Sequence, residues 1–350
     1  MKFNKNAPRY RAGRGELKGG TGGINRICSA VDYLEVYKLD KTFRIYTPEA
    51  LDPHETDPNM HWMSKPVADV GSANRIVARV FIQASEAIKS TPLAPGINKD
   101  DILRCMHRCK EQLLICEEKQ GLVCRETDRI CQSCKKRELQ KQGYHFVDFP
   151  QIDRLEEYCA AFLNNAKLTI QTVAELINNF YRTTFDGPRF DKVVEWSKKA
   201  LKHNRTFIQY LEKNQPGLKF IVDLRNAQEH PKDHRKLIIE NFSLKPGNKI
   251  SVPLWYITGE QPQPIHSTMA AMVDFLVAVT EGVFLYCVID NITPPFPYIV
   301  RVIDDSALDP NCPIKYFVEP NIGTSQDDSP RQGIEPGASA DHGDARRPDS

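Results

Sequence analysis

The chain has 350 residues, 41% hydrophobic and 26% charged, with 47 lysines and arginines set against 45 aspartates and glutamates. This describes a soluble globular protein long enough for two folded units. A net charge of +2 excludes nucleic-acid binding by bulk charge, so any such binding rests on local patches.

Met1-Lys2-Phe3-Asn4-Lys5-Asn6 has no apolar run behind its lysines, so no secretory signal is read and a cytoplasmic location is expected. Residues 1–23 mix basic side chains with Gly19-Gly20-Thr21-Gly22-Gly23 and read as a flexible arm. The glycines are not a phosphate loop, because no strand precedes them and the Gly-Lys-Ser/Thr ending is missing. Residues 24–98 read as a small α+β region. It holds a short segment from Val31 to Leu39, a strand over Phe43–Tyr46, a proline-rich loop, and a helix marked by Val77, Val80, Phe81, Ala84, Ala87 and Ile88, which Thr91-Pro92 ends. His54, Asp57 and His61 on the loop are too loosely spaced to suggest a metal.

Six of the ten cysteines fall in residues 99–143: Cys105, Cys109, Cys116, Cys124, Cys131 and Cys134. Their near-symmetry about Gln120-Gly121 predicts a helical hairpin turning at the glycine, with sulfurs of the two arms facing each other. Three readings stay open. The cysteines pack as small hydrophobes with Ile102, Met106 and Leu113; or Cys105, Cys109, Cys131 and Cys134 hold a structural zinc, with His107 in reserve; or the arms are joined by disulfides, which the missing secretory signal disfavours.

After a linker at Phe146–Pro150, a bundle is expected over residues 151–291. Ile152 to Phe180 is one amphipathic helix ended by Thr183 to Pro188, and a second runs from Phe190 to Lys213 until Pro216-Gly217 breaks it. The third spans Leu218 to His230. Runs at Lys236–Leu244 and Ile250–Ile257 form a β-hairpin, and the fourth helix is Ile265–Asp290. This last segment is long enough to cross a bilayer, but Asp274 and Glu281 interrupt it, so a buried bundle helix is expected and no membrane. Short β segments follow in residues 292–319, and residues 320–350 read as a disordered tail.

The chemistry concentrates in Leu224-Arg225-Asn226-Ala227-Gln228-Glu229-His230-Pro231. A permanent cation, an amide and an imidazole can together hold a phosphate and move a proton. Residues five apart do not share a helix face; Pro231 disfavours the helical conformation at His230. Either the irregular helix end brings Arg225 and His230 together or two chains share one site. Arg225 and Glu229, four apart, can also form an ordinary ion pair.

Arg-Asn-x-x-x-His late in a helical bundle, followed by a hairpin and an apolar helix, resembles the RNase motif of the HEPN superfamily. The resemblance covers about residues 151–291. It implies a mainly α fold, namely a HEPN-like bundle with an inserted β-hairpin, here preceded by the α+β region and the cysteine-rich hairpin. It further implies a homodimer acting as a metal-independent endoribonuclease with no catalytic cofactor, in a defence or toxin–antitoxin setting with an antitoxin as partner. Arg225 and His230 would be catalytic and Asn226 their polar support. RNA supplies its own nucleophile, so a base, an acid and a cation suffice, leaving a 2′,3′-cyclic phosphate and a 5′-hydroxyl. Two alternatives remain: a non-catalytic HEPN-like module binding RNA, nucleotide or a partner protein, and a zinc- or redox-responsive regulator built on the cysteines.

Overall fold

The N-terminal region forms a four-stranded antiparallel sheet of order β1-β2-β3-β4: β1 Arg26–Ala30, β2 Tyr33–Tyr37, β3 Thr42–Tyr46 and, after the single turn α1 Pro48–Leu51, β4 Met63–Ala68. This is a computed structural model, and it describes residues 8–10, 15–30, 33–136, 150–185, 189–246, 249–293 and 297–321. Strand β4 lies inside the expected proline-rich loop. Pro66 is tolerated because β4 is an edge strand, and the register shifts beside it between Thr42 and Phe43. The basic arm is partly anchored: Arg9 is buried and donates to Asp52 Oδ2 at 2.7 Å, and Lys38 donates to the carbonyls of Leu17 and Gly19, both at 2.8 Å. The rest of the arm (1–7 and 11–14) and the tail from 322 lie outside the described residues.

A π-helical turn, Val77–Ile82, runs into α2 Gln83–Ser90, and α3 follows as one helix, Lys99–Lys136. The expected helical hairpin is therefore corrected. Glycine in a helix interior costs only about 1 kcal/mol against alanine, and the buried stripe Leu113, Cys116, Val123, Thr127, Ile130 continues straight past Gly121. The four-cysteine zinc site falls with the hairpin. Cys105 and Cys131 are 26 positions apart on one helix, about 39 Å at 1.5 Å per residue, so the thiols of Cys105 and Cys109 do not converge with that of Cys131. The Cys134 side chain and residues 137–149, with most of the linker, lie outside the described residues. Cys105, Cys109 and Cys116 pack as small hydrophobes against the bundle. Burial pushes the thiol of Cys105 up to about 11 and that of Cys116 up to about 12, so they stay protonated.

Helix α4, Leu155–Tyr181, packs along α3 and buries Cys159, Phe162, Ala166, Ile170, Val173, Ile177 and Phe180 from one face. The next two helices differ from expectation. Helix α5 is short, Phe190–Ala200, and α6 runs from Arg205 to Glu229 straight through Pro216-Gly217. The chain turns earlier because Asp290 captures that corner: it accepts from His203 (3.1 Å), Asn204 Nδ2 (3.0 Å) and Tyr181 Oη (2.7 Å), while the Asn204 side chain caps α6 at Phe207 N–H. Gly217, inside the helix, leaves room for the Phe275 ring, which a side chain there would meet.

The runs after α6 pair antiparallel as expected, in two small sheets: β5 Leu237–Glu240 with β8 Leu254–Ile257, extended by β9 Gln263–Pro264, and β6 Ser243–Lys245 with β7 Lys249–Ser251. Helix α7, Ile265–Asp290, is long and apolar enough to cross a membrane, and 78% of its most apolar stretch is buried in the fold. Its two interrupting carboxylates are met by arginines, Asp274 by Arg75 and Glu281 by Arg79. Gly282 lets the Tyr210 ring of α6 lie against α7, with the hydroxyl donating to Ala278 O at 3.0 Å. Two last strands, β10 Tyr298–Val302 and β11 Tyr316–Pro320, pair antiparallel. The whole is a mainly helical fold with several small antiparallel sheets.

Candidate active site

The apolar face of α6 (Tyr210, Leu211, Leu218, Ile221, Leu224, Ala227) is buried in the bundle, which leaves the last turn at the surface. Helical hydrogen bonding ends with His230 N–H donating to Asn226 O at 2.9 Å, and His230 itself has φ −125° and ψ 62°. Non-helical backbone at this residue, as Pro231 dictates, swings its imidazole into solvent, where it is 70% exposed.

Arg225 is mostly buried and ion-paired with Glu229 one turn on, while His230 Nε2 lies 3.5 Å from the same Glu229 carboxylate. One carboxylate, that of Glu229, therefore meets both Arg225 and His230 within a single chain. Asn226 Oδ1 faces the ammonium of Lys167 on α4 at 3.4 Å. Burial, then the nearby charge of Arg225, lowers the Lys167 pKa.

Beyond His230 the chain makes a tight turn, closed by Lys232 N–H to Arg235 O at 3.0 Å and Arg235 N–H to Lys232 O at 2.9 Å. This turn and the end of α6 enclose a cleft of about 360 Å³ lined by Asn226, His230, Lys232, His234 and Arg235, with Asp223 and Ala227. Asp223 is held by Arg235 at 3.1 Å and by Lys219. The cleft thus presents two imidazoles and two cations. His234 and Lys167 were not singled out from sequence. His234 had a signal, since it sits four residues after His230 in a basic segment. Lys167 had none, because only the packing of α4 on α6 brings it in.

A second cluster sits where the N-terminal sheet meets α3. Ligand atoms of Glu35, His107 and Glu111 lie within 4.8 Å of one another, a set that suits a divalent cation. A cation already occupies the middle: Lys110 Nζ lies 2.5 Å from Glu35 Oε2, 3.0 Å from Glu111 Oε1 and 3.2 Å from His107 Nε2. Glu35 also accepts from the Tyr37 hydroxyl, from Arg44 Nε at 3.0 Å and from His107 Nε2 at 2.8 Å. Burial alone would raise the Glu35 carboxyl; the His107 hydrogen bond and the Lys110 charge outweigh it and hold the group well below the usual carboxylate range. The cluster is an ion network built on the buried Glu35–Lys110 pair, and a metal would have to displace an ammonium from it.

Fold and cleft together define a mainly helical protein with an imidazole-rich basic cleft at one helix end. Comparison with family models, with curated proteins and with solved structures finds no match.

Proposed function

We propose that the chain is a metal-independent endoribonuclease of HEPN type, acting at the cleft after α6. The observation that carries this reading is that His230 and His234 line one cleft with Asn226, Lys232 and Arg235, while Arg225 and His230 meet the same Glu229 carboxylate. One imidazole takes the proton from the ribose 2′-OH, and O2′ attacks phosphorus. Arg225, released from Glu229 by the incoming phosphate, stabilises the extra negative charge of the phosphorane. The P–O5′ bond breaks as the other imidazole, protonated, donates to the leaving oxygen. The products are a 2′,3′-cyclic phosphate and a 5′-hydroxyl, and the two imidazoles exchange protonation states. Base and acid then come from one protomer, so a homodimer would enlarge the site rather than complete it.

The Arg225–Glu229 ion pair supports a second reading, a non-catalytic HEPN-like module in which the cleft binds RNA, nucleotide or an antitoxin-like protein. Cleavage of end-labelled RNA by the wild type and by an Arg225→Ala, His230→Ala double variant separates the two. Cleavage by the wild type alone is the nuclease result; equal cleavage by both refutes the site, and binding with no cleavage favours the second reading.

A further inference from the structure

Two more clefts adjoin the histidine cleft, each sharing one residue with the next. Asn226 also lines a cleft of about 360 Å³ between α4 and α6, together with Lys167, Lys219, Leu218, Val222 and Arg189. Arg189 in turn lines a cleft of about 350 Å³ on the outer face of α5. That face follows from helical spacing: Phe190, Val193, Val194 and Ser197 are buried, so Lys192, Trp196 and Lys199 at i, i+4 and i+7 point the other way. Trp196 is half-buried, edge-on to Tyr181 (5.2 Å between ring centres) and Phe185 (5.5 Å).

Charge is concentrated along this line. The three clefts carry seven lysines and arginines against three carboxylates, Asp191, Glu195 and Asp223, although the whole chain is balanced to +2. Four of the seven cations are paired with these carboxylates, Arg189 with Asp191, Lys192 with Glu195, and Lys219 and Arg235 with Asp223, so a phosphate would compete with them there. Lys167 Nζ lies 3.4 Å from Asn226 Oδ1. A basic groove ending in an aromatic platform suits unpaired nucleic acid, whose backbone follows the cations while a base stacks on the ring. In duplex RNA the bases are paired and cannot reach such a platform.

We infer that single-stranded RNA runs along this track, its phosphates over Lys167, Lys219 and Arg189 and one unpaired base on Trp196, several nucleotides from the phosphate at His230. This rests on the nuclease reading and extends it to substrate class. The track gives Trp196 and the lysines of α5 a role in holding long substrates and none in the chemical step.

The test uses the full chain and a fluorescein-labelled 12-nucleotide single-stranded RNA, with its duplex form and a dinucleoside monophosphate as comparisons. Trp196→Leu should weaken single-strand binding about five- to a hundredfold. It should raise KM for the oligonucleotide with kcat unchanged and leave dinucleotide cleavage untouched. Because Trp196→Leu can disturb packing, Lys192→Glu with Lys199→Glu, both at the surface, should give the same KM effect and a shallower salt dependence. If the wild type binds and cleaves RNA but both variants match it, the track is wrong and the nuclease reading stands. Duplex bound as tightly as single strand also overturns the track. If the wild type neither binds nor cleaves any of the three, the nuclease reading itself fails.

Discussion

Replacing Lys110 by methionine tests the physics of the buried network directly. Glu35 is fully buried and Lys110 is 2% exposed, and methionine keeps most of the lysine's length against the rings of Phe81 and Tyr37. Removing one partner of a buried pair costs about 3–5 kcal/mol. Arg44, His107 and Tyr37 still reach Glu35, so Lys110→Met should lie at the lower end, about 3 kcal/mol, a large share of a total stability of about 5–15 kcal/mol. Urea unfolding followed by circular dichroism measures it as a shifted midpoint with unchanged slope. Adding Glu35→Gln should cost less than the sum of the single variants by about 1.5 kcal/mol or more, because the two side chains touch. The sign of the pH dependence is fixed as well. The folded carboxyl is depressed below its ordinary 4.5, so the unfolded chain takes up that proton first. The stabilisation is complete above about pH 4.5 and is lost as pH falls toward the depressed value. The acid limb of wild-type stability should therefore be steeper than that of Glu35→Gln. A single-variant loss under about 1 kcal/mol, or strict additivity, would refute the reasoning.

Other predictions concern the helix end and the bundle. Glu229→Gln removes the anion that competes for Arg225, in an i, i+4 pair whose carboxylate is half-exposed and which is worth about 0.5–1 kcal/mol. RNA affinity should rise about two- to fivefold in a filter-binding titration, and an unchanged or weaker affinity would mean Glu229 is not a competitor. Gly282→Ala would set a methyl 2.2 Å from the Tyr210 hydroxyl, and overpacking of that kind costs about 1–3 kcal/mol. Thermal unfolding should show the loss, and Tyr210→Phe alone should not relieve it, since the ring carbon Cζ is also only 2.5 Å away.

The sequence revealed the parts of the fold that depend on periodicity. The α4 stripe, the α7 core helix and the paired runs after the motif all follow from spacing of apolar residues. It misled where tertiary contacts override local signals. Pro216-Gly217 looks like a stop, yet Phe275 packs on the glycine and α6 continues; the real break comes from Asp290, nearly ninety positions away from His203 and Asn204. The cysteine spacing reads as symmetry across a hairpin at Gly121, whereas Cys105, Cys109 and Cys116 lie on the buried face of one long helix that continues through the glycine. At the candidate site, Pro231 correctly announced the irregular end that turns His230 outward. The i, i+4 spacing announced the Arg225–Glu229 ion pair, and the structure has it; what spacing did not show is that His230 Nε2 approaches the same carboxylate, at 3.5 Å. Lys110 was equally hidden, since nothing in α3 says that a strand 75 positions earlier will place a carboxylate against it.

The most direct measurement of the central claim is cleavage, in excess EDTA, of one RNA sequence and its all-deoxy counterpart by the wild type and by His230→Ala. The account predicts that the wild type cuts only the RNA, leaving 2′,3′-cyclic phosphate ends, and that His230→Ala slows this by about a hundredfold or more. Cleavage of the deoxy strand, ends without the cyclic phosphate, or an undiminished rate in His230→Ala would contradict it.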